Sequence, residues 1–351
     1  MTDEPTPLRR GWTTGACATA ATRAALMQLW GEGFPDKARI TLPKGERPEF
    51  ALSYKNFGTD WAEAGIIKDA GDDPDVTHGA EIRARVTRSN GGVVFKAGAG
   101  VGTVTKAGLP IGVGEPAINP VPRDMMTAQV VEMAARLGQS PDIEITISIP
   151  DGDKIALKTW NPRLGILGGL SVLGTTGVVR PFSCAAWIAS IHRGVDVARA
   201  EGLMHLSGCT GATSERVVQA HHGLTDAAML DMGDFVGGML KYLVKHPVPR
   251  VTIGGGIGKI AKLAQGEMDL HSKRGQVDLQ FWADRLDLPE IASANTALEA
   301  SQIARPIFAK TVAEIALKTV NARFKTAFDG TSIEYDIVVI DRAGAILATA
   351  S

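Results

Sequence analysis

The 351-residue sequence has no marked excess of charge, few cysteines and no long apolar run. Its formal net charge of −1 gives no overall basic field for nucleic acid or a membrane surface, so local cations must hold any anionic ligand. Cys17, Cys184 and Cys209 lack metal-ligand spacing, and we expect reduced thiols in a cytoplasmic protein. Residues 1–8 lack an apolar signal core, and no run of about 18 apolar residues predicts a membrane span.

Glycine, by contrast, is abundant, and many of the 40 glycines cluster beside apolar runs, as is typical of turns and ligand loops. A chain of this length predicts two domains, and we place the boundary at Asn161-Pro162. Residues 1–162 are predicted to form a mostly antiparallel α+β domain. Residues 163–351 are predicted to form a Rossmann-like α/β domain, whose parallel sheet binds ligands at the carboxyl ends of its strands.

Apolar periodicity gives the predicted elements. In the first domain the predicted strands are 38–42, 49–54, 82–86, 93–96, 143–149 and 155–160, and the predicted helices are 13–30 and 123–137. In the second domain the predicted helices are 182–201, 213–222, 233–246 and 297–321, the last broken at Pro306. The predicted strands there are 204–206, 227–230, 250–253 and 335–340, and a glycine-rich turn is expected at 254–256.

The acidic segment 68–81 follows the short apolar run 62–67 and places four aspartates within residues 69–75. Such crowding raises carboxyl pKa values unless cations or amide N–H groups offset the repulsion. Lys68, Thr77 and His78 add donors and an acid/base group, which favours an active-site loop over the alternative of a solvated acidic turn. A calcium loop is disfavoured because glycine and glutamate are absent from the required positions, and no protein-bound metal is expected.

Two basic segments can hold an anionic ligand. Arg9-Arg10-Gly-Trp-Thr-Thr-Gly15 opens the first helix, where free N–H groups and the helix dipole favour an anion; a plain N-cap with exposed arginines is the alternative. The Gly/Pro-rich loop 98–123 carries Lys106, Asn119 and Arg123. It is predicted to be functional, with a rigid connector as the alternative.

Three glycine-containing turns, 173–183, 207–215 and 253–259, lie where an α/β sheet binds ligands. None matches a nucleotide fingerprint. Lys259 occupies the last glycine position of G-x-G-x-x-G, and Ile260 stands where a P-loop has serine or threonine.

Together the motifs resemble the cobalt-precorrin-5B C1-methyltransferases of cobalamin biosynthesis, the CbiD family. The resemblance is carried by Arg10-Gly-Trp-Thr-Thr-Gly15, Lys68-Asp-Ala-Gly-Asp-Asp-Pro-Asp75, Gly114-Glu-Pro-Ala-Ile-Asn-Pro-Val-Pro-Arg123 and Arg180-Pro-Phe-Ser183. Residues 233–238, 247–250 and 269–272 continue it in order, and Thr210-Gly211 with Ser214-Glu215 fits a looser family motif. The resemblance covers residue 8 to the C-terminus.

The resemblance implies methyl transfer from S-adenosylmethionine to C1 of a cobalt-bearing macrocycle, giving cobalt-precorrin-6A. It assigns no residue roles. The macrocycle carries many carboxylates, so separated cations suit it, and methyl transfer requires positioning and stabilisation of charge. A polycarboxylate tetrapyrrole is therefore the expected partner; transient contacts with neighbouring pathway enzymes and oligomers are also compatible with the sequence.

Our hypothesis for the site residues follows from these requirements. The catalytic candidates are Asp69, Asp72, Asp73 and, as an alternative, His78. The substrate-binding candidates are Arg10, Thr13, Thr14, Lys106, Asn119, Arg123, Arg180 and Ser183. The candidates for binding S-adenosylmethionine are Thr175, Thr176, Thr210, Gly211, Ser214, Glu215, Gly254, Gly255 and Gly256. The first domain is thus expected to hold the substrate and the second the methyl donor.

Two other functions remain open at this point. A nicotinamide-dependent reductase acting on the same class of substrate would use residues 254–259 to cradle a pyrophosphate. The missing third glycine, and the lack of an acidic residue about 20 positions on, argue against it. A non-enzymatic tetrapyrrole carrier would bind the macrocycle and need no second ligand.

Overall fold

The computed structural model describes residues 7–351, which form two compact units, each with its own buried core. We call Met1–Ser183 unit 1 and Cys184–Ser351 unit 2. Among the described residues, no helix has both the length and the apolar character that crossing a membrane requires.

Unit 1 is built on a five-stranded sheet covered on one face by two long helices. Its strands are β1 (Gly11–Trp12), β2 (Lys37–Arg39), β3 (Glu49–Ala51), β4 (Tyr54–Phe57), β5 (Trp61–Ile67), β6 (Glu81–Arg88), β7 (Val93–Ala97), β8 (Thr103–Val104), β9 (Ile143–Ser148), β10 (Ile166–Leu167) and β11 (Val178–Val179). Its helices are α1 (Thr14–Leu29), α2 (Pro120–Leu137) and α3 (Gly152–Ala156). The main sheet has the order β4-β5-β6-β9-β7, antiparallel except for the β7–β9 pair.

Helix α1 packs on β5 and β6 and against α2. It is rich in buried alanines, whose small side chains let the helix lie close to the sheet. In β9, the isoleucines at 143, 145 and 147 face the core and alternate with polar residues, as predicted. The predicted mostly antiparallel α+β architecture of the first half is therefore confirmed.

The strand predicted at 155–160 is wrong, because this segment forms the short helix α3 followed by turns. Asp151 adopts a left-handed conformation, with a φ of 56°, and turns the chain away from the sheet. Gly152 then packs so closely that a Cβ there would lie 2.3 Å from the carbonyl oxygen of Gly100. Apolar alternation over a few residues could not reveal that no strand partner is available at this position.

Unit 2 is a parallel sheet with helices between its strands. The strands are β12 (His205–Cys209), β13 (Met229–Leu230), β14 (Arg250–Gly256), β15 (Glu334–Ile340) and β16 (Ile346–Ala350). The helices are α4 (Cys184–Ala200), α5 (Ala212–His222), α6 (Val236–Leu243), α7 (Ile257–Ala264), α8 (Leu279–Leu286), α9 (Ala297–Ile303) and α10 (Ile307–Phe324). The order is β13-β12-β14-β15-β16, with the first four strands parallel and β16 antiparallel at the edge.

This strand order confirms the Rossmann-like α/β prediction. The chain runs from β12 outward to β13 and then returns to place β14 on the other side of β12. The carboxyl ends of β12 and β14 therefore flank a topological switch point, where open α/β sheets bind ligands.

The glycine-rich turn expected at 254–256 is instead the end of β14. Gly254, Gly255 and Gly256 pair in register with Val338–Ile340 of the neighbouring strand. A strand is recognised in a sequence from its apolar side chains, which glycines lack. The predicted strand therefore ended at residue 253, before the three glycines. Helices α7 and α8 were not predicted.

The two units divide after Ser183, whereas the sequence placed the boundary at Asn161-Pro162. Strand β10 pairs with β8, and β11 pairs with β1. These strand pairings join residues 163–183 to unit 1. The change in sequence composition near residue 162, from which the boundary was predicted, does not reveal them.

Candidate functional site

The first basic motif and the acidic segment form one structure in unit 1. The Trp12 N–H donates to the Asp69 carbonyl at 2.7 Å, and the Asp72 N–H donates to the Arg9 carbonyl at 3.0 Å. Glycine is required where the two backbones meet, because a Cβ on Gly11 would lie 2.0 Å from the carbonyl carbon of Ala70. Motifs about 60 residues apart in sequence are thus held backbone to backbone.

Cations and N–H groups offset the repulsion among the four aspartates. The sequence alone could not show whether such partners are present. Asp69 accepts hydrogen bonds from the Arg9 guanidinium and, at 2.9 Å, from the Gly71 N–H. The Arg9 hydrogen bond is the main cause of a lowered pKa at Asp69. Asp72 accepts from the Arg9 N–H at 2.6 Å. Asp73 accepts from the N–H of Phe182 at 2.9 Å.

Lys68 and Asp75 form an ion pair in which the lysine is fully buried and the aspartate is partly buried. The Lys68 side chain is only 1% exposed, and its Nζ lies 2.5 Å from Asp75 Oδ2. The other Asp75 oxygen accepts from the Thr77 N–H and hydroxyl at 2.8 and 2.6 Å. Burial alone raises the pKa of Asp75, but the Lys68 ammonium and the Thr77 bonds outweigh it, and the net pKa is lowered. These three side chains hold the loop together.

His78 is half-exposed, and its Nδ1 accepts the N–H of Ala70 at 3.1 Å. Because Nδ1 accepts, the neutral ring must carry its proton on Nε2, a tautomer assigned from this hydrogen bond. The Nε2 of the neutral His78 ring is therefore a donor. The ring can act as a base only after its bond to Ala70 breaks.

The threonines predicted to bind substrate instead close the start of α1. Thr13 is the N-cap and accepts from the Ala16 N–H at 3.2 Å. The Thr14 hydroxyl exchanges hydrogen bonds with the backbone of Leu173, and the Leu173 carbonyl also accepts from the Gly15 N–H at 2.9 Å. Both threonines are buried, so this helix start matches the plain N-cap alternative, not an anion site.

Two exposed arginines, Arg10 and Arg180, adjoin strands β1 and β11. The last pair in the register of these strands is Gly11 with Val179, and the two arginines directly adjoin it. Arg10 binds the exposed Glu46 at 3.1 Å. Arg180 forms no side-chain hydrogen bond or ion pair within residues 7–351, so it is available to an anionic ligand.

Arg123 supports the connector alternative for the loop 98–123. Its Nε donates to the Ile118 carbonyl at 2.8 Å, and its other nitrogens contact Glu115 and the Pro116 carbonyl. Asn119 stands at the N-cap of α2 without a capping bond from its side chain. Lys106 packs along Gly165, where a Cβ would lie 2.4 Å from its Cγ.

In unit 2, most of the predicted donor-binding residues come together at the switch point. Thr210 and Gly211 follow β12, Ser214 and Glu215 lie in the first turn of α5, and Gly254–Gly256 end β14. The Thr210 N–H donates to the Gly254 carbonyl at 3.0 Å. A Cβ on Gly255 would lie 2.8 Å from the Thr210 hydroxyl, whereas one on Gly256 would meet nothing within 4 Å. Gly254 and Gly255 are buried against neighbouring side chains, so Gly256 is the one of these three glycines with open space beside its backbone.

Thr175 and Thr176, predicted to bind the donor, lie in unit 1. They belong to the turn that precedes β11, where the Thr176 hydroxyl bonds to the backbone of Val178 at 3.3 Å. Ser183 is the last residue of the same unit.

Sequence reasoning did not identify Asp234 and Lys259 as candidate site residues. Lys259 Nζ lies 2.5 Å from Asp234 Oδ1 and 2.9 Å from the Leu270 carbonyl. Asp234 follows β13 and Lys259 lies in the first turn of α7, so both belong to the carboxyl edge of the sheet. The motifs at 233–238 and 269–272 were the available signal.

A separate cluster of polar side chains lies near the amino ends of the strands in unit 2. Candidate metal-ligand atoms of His205, His222 and Asp336 lie within 4.8 Å of one another. However, Asp336 already accepts two hydrogen bonds from Arg250 and one from Thr252, which fills three of about four acceptor positions. The guanidinium also opposes a cation there, so these residues constitute a hydrogen-bonded network.

Comparison with known proteins gives consistent matches. The CbiD family model matches residues 1–181. The chain is 54% identical over 360 residues to a cobalt-precorrin-5B C(1)-methyltransferase of Paramagnetospirillum magneticum, covering 100% of both chains. It is 56% identical to the protein of that name from Brucella anthropi, covering 98% of this chain and 96% of that one. The corresponding Rhodospirillum rubrum protein is 55% identical, with 98% of each chain covered.

A crystal structure of a cobalamin biosynthesis protein (cbiD) from Archaeoglobus fulgidus is 26% identical, with a TM-score of 0.41 over 82% of this chain and 84% of that one. With the family model matching residues 1–181 and relatives more than half identical over nearly the full length, the chain belongs to the CbiD family.

Proposed function

We propose that the chain transfers a methyl group from S-adenosylmethionine to C1 of cobalt-precorrin-5B and so forms cobalt-precorrin-6A. The observation that carries this proposal is the identity of 54–56% to relatives named cobalt-precorrin-5B C(1)-methyltransferase. The cobalt in this reaction belongs to the substrate.

Unit 1 binds the macrocycle. Peripheral acetate and propionate groups need cations at separate positions, and arginine binds a carboxylate through two parallel N–H bonds. Arg180 is unpaired among the described residues. Arg10 has only an exposed carboxylate partner, a kind of pair that contributes little and that a ligand can displace.

Unit 2 binds S-adenosylmethionine at the switch point. Gly256, which has open space beside it, allows a ligand to approach the backbone closely, and Glu215 accepts hydrogen bonds from the ribose hydroxyls. Asp234 and Lys259 carry opposite charges at the same edge. They suit the ammonium and carboxylate of the methionine part.

The reaction is a displacement at the methyl carbon. The carbon–sulfur bond breaks as the bond to C1 forms, and sulfur keeps the electron pair. Positive charge therefore moves from the sulfonium to the macrocycle until the macrocycle loses a proton. Asp69 and Asp72 stabilise this charge. The lowered pKa of Asp69 suits a carboxylate that stays ionised rather than one that takes up the proton.

The decisive experiment incubates the protein with cobalt-precorrin-5B and S-adenosylmethionine bearing a labelled methyl group, and then measures the mass of the macrocycle. We expect the gain of one labelled methyl. If the macrocycle binds but gains no methyl, and calorimetry detects no binding of S-adenosylmethionine or its demethylated product, the protein is a carrier and the proposal is wrong.

The residue roles need separate variants. Asp69→Asn and Asp72→Asn should lower turnover by at least about tenfold, since each removes a charge worth about 1.4 kcal/mol or more in the transition state. His78→Ala tests the alternative. Asp60→Asn, an exposed aspartate in the same unit, is the matched control and should leave turnover unchanged. Near-normal turnover in all three site variants would remove the catalytic assignment and leave the methyl transfer standing.

The donor site is tested by crosslinking with a photoreactive S-adenosylmethionine analogue followed by peptide mapping. We expect labelled peptides from residues 205–216 or 250–260. Labelling confined to unit 1 contradicts the placement of the donor.

A further inference from the structure

Phe182 has an exposed aromatic ring and a backbone conformation that is unfavourable for its residue type. The side chain is 66% exposed, and the residue adopts a φ of 54°. The other non-glycine residues with positive φ in the described chain are Asp151 and Asp287, a residue type that tolerates this conformation. A bulky side chain does not, so the surrounding structure must hold Phe182 in place.

A hydrogen bond to the acidic loop helps to keep the Phe182 backbone in this conformation. The Phe182 N–H donates to Asp73 Oδ1 at 2.9 Å, across 109 residues of sequence. Just upstream, β11 is fixed by its pairing with β1. The fold therefore keeps a largely exposed apolar ring in a backbone conformation that costs free energy.

The charges near the ring match one kind of ligand. Arg180, two residues before Phe182, is exposed and unpaired within the described part of the chain. Arg10 and Arg180 are the residues that directly adjoin the last pair of the β1–β11 register, Gly11 with Val179. An aromatic face offers a flat conjugated ring a stacking partner, and neighbouring guanidinium groups bind carboxylates on its rim.

We propose that Phe182 stacks on the face of the tetrapyrrole macrocycle and that Asp73 positions it. This inference rests on the proposed function and deepens it, because it names a contact with the apolar face of the substrate. Asp73 is then a positioning residue that acts through the Phe182 backbone. Its carboxylate takes no part in proton transfer.

The test measures binding of uroporphyrin III, an octacarboxylate tetrapyrrole, by fluorescence titration without a methyl donor. Loss of a stacked aromatic contact should weaken binding about tenfold in Phe182→Ala and Phe182→Gly, whereas Phe182→Tyr should bind like the original protein. Phe328→Ala is the matched control, since Phe328 is 78% exposed and lies in unit 2. It should not change binding.

Thermal unfolding separates stacking from a structural role. Phe182→Gly relieves the positive φ, so its Tm should equal or exceed that of the original protein even though its binding is weaker. Asp73→Asn keeps an oxygen that accepts the Phe182 N–H and should bind uroporphyrin III more tightly than Asp73→Ala, which loses this hydrogen bond.

The inference is overturned if Phe182→Ala and Phe182→Gly bind uroporphyrin III as tightly as the original protein, or if Phe182→Gly loses Tm and binding together. It is also overturned if the original protein does not bind uroporphyrin III. The proposed function fails by a different result, the absence of a transferred methyl in the mass measurement, so the two failures can be told apart.

Discussion

The buried ion pair between Lys68 and Asp75 gives the sharpest prediction about the acidic loop. Asp75→Asn keeps the shape of the side chain and an oxygen for Thr77, but it removes the negative charge. The Lys68 ammonium then stays in a position that is 1% exposed, without its charged partner at 2.5 Å. The variant therefore isolates the cost of a buried, uncompensated charge.

The expected cost follows from this geometry. Removing one partner of a buried pair typically costs about 3–5 kcal/mol, and we expect Asp75→Asn to lie in this range. Lys68→Met should cost less, about 1.5–3 kcal/mol, because Asp75 is 25% exposed and keeps its two hydrogen bonds from Thr77. The double variant should cost less than the sum of the two, since it leaves neither charge behind.

Hydrogen exchange followed by mass spectrometry is the suitable assay, because a chain of two units need not unfold in one step. The free energy of opening is read from peptides of β5 and β6, which flank the loop. Asp151→Asn is the control. Asp151 pairs with Lys154 at 2.6 Å, but both side chains are well exposed, so no change is expected. Equal costs for the two single variants, or a cost below about 1 kcal/mol for Asp75→Asn, would refute the reasoning.

The remaining predictions concern close packing, pH and the donor site. Gly11→Ala should lower the Tm by several degrees in calorimetry because its Cβ would lie 2.0 Å from a backbone carbon, while Gly91→Ala, with open space around it, should not. Burial lowers the pKa of His205 and His222, so unfolding takes up protons and the Tm should fall as the pH drops below about 6.5; replacing both with glutamine should flatten this dependence. Gly255→Ala should weaken binding of S-adenosylhomocysteine in calorimetry, because the new Cβ would lie 2.8 Å from a threonine hydroxyl; unchanged affinity contradicts the donor site.

Much of the architecture could be predicted because it depends on local patterns of burial. The alternation of isoleucine with polar residues in β9 and the alanine-rich segment of α1 each require one face of an element to be covered. The succession of helices and short strands after residue 184 similarly requires a parallel sheet. The motifs also identified the family, because they are long and occur in order.

The acidic loop shows what the sequence alone could not decide. Its composition showed that four aspartates need partners. Which partners they have depends on chain segments far away in sequence, Arg9 for Asp69 and the Phe182 N–H for Asp73. The tautomer of His78 depends on the Ala70 N–H in the same way. Without knowledge of these contacts, the sequence alone does not show which of the four carboxylates has which role.

The sequence by itself determined the two architectures, the family and the residue types at the site. The tertiary structure decided the roles, because hydrogen bonding and desolvation depend on which groups meet in space. It made Thr13 and Thr14 helix-capping residues, joined Thr175 and Thr176 to unit 1, and turned three glycines into the end of a strand. It also showed that Phe182, which the sequence motif did not single out, has a largely exposed ring.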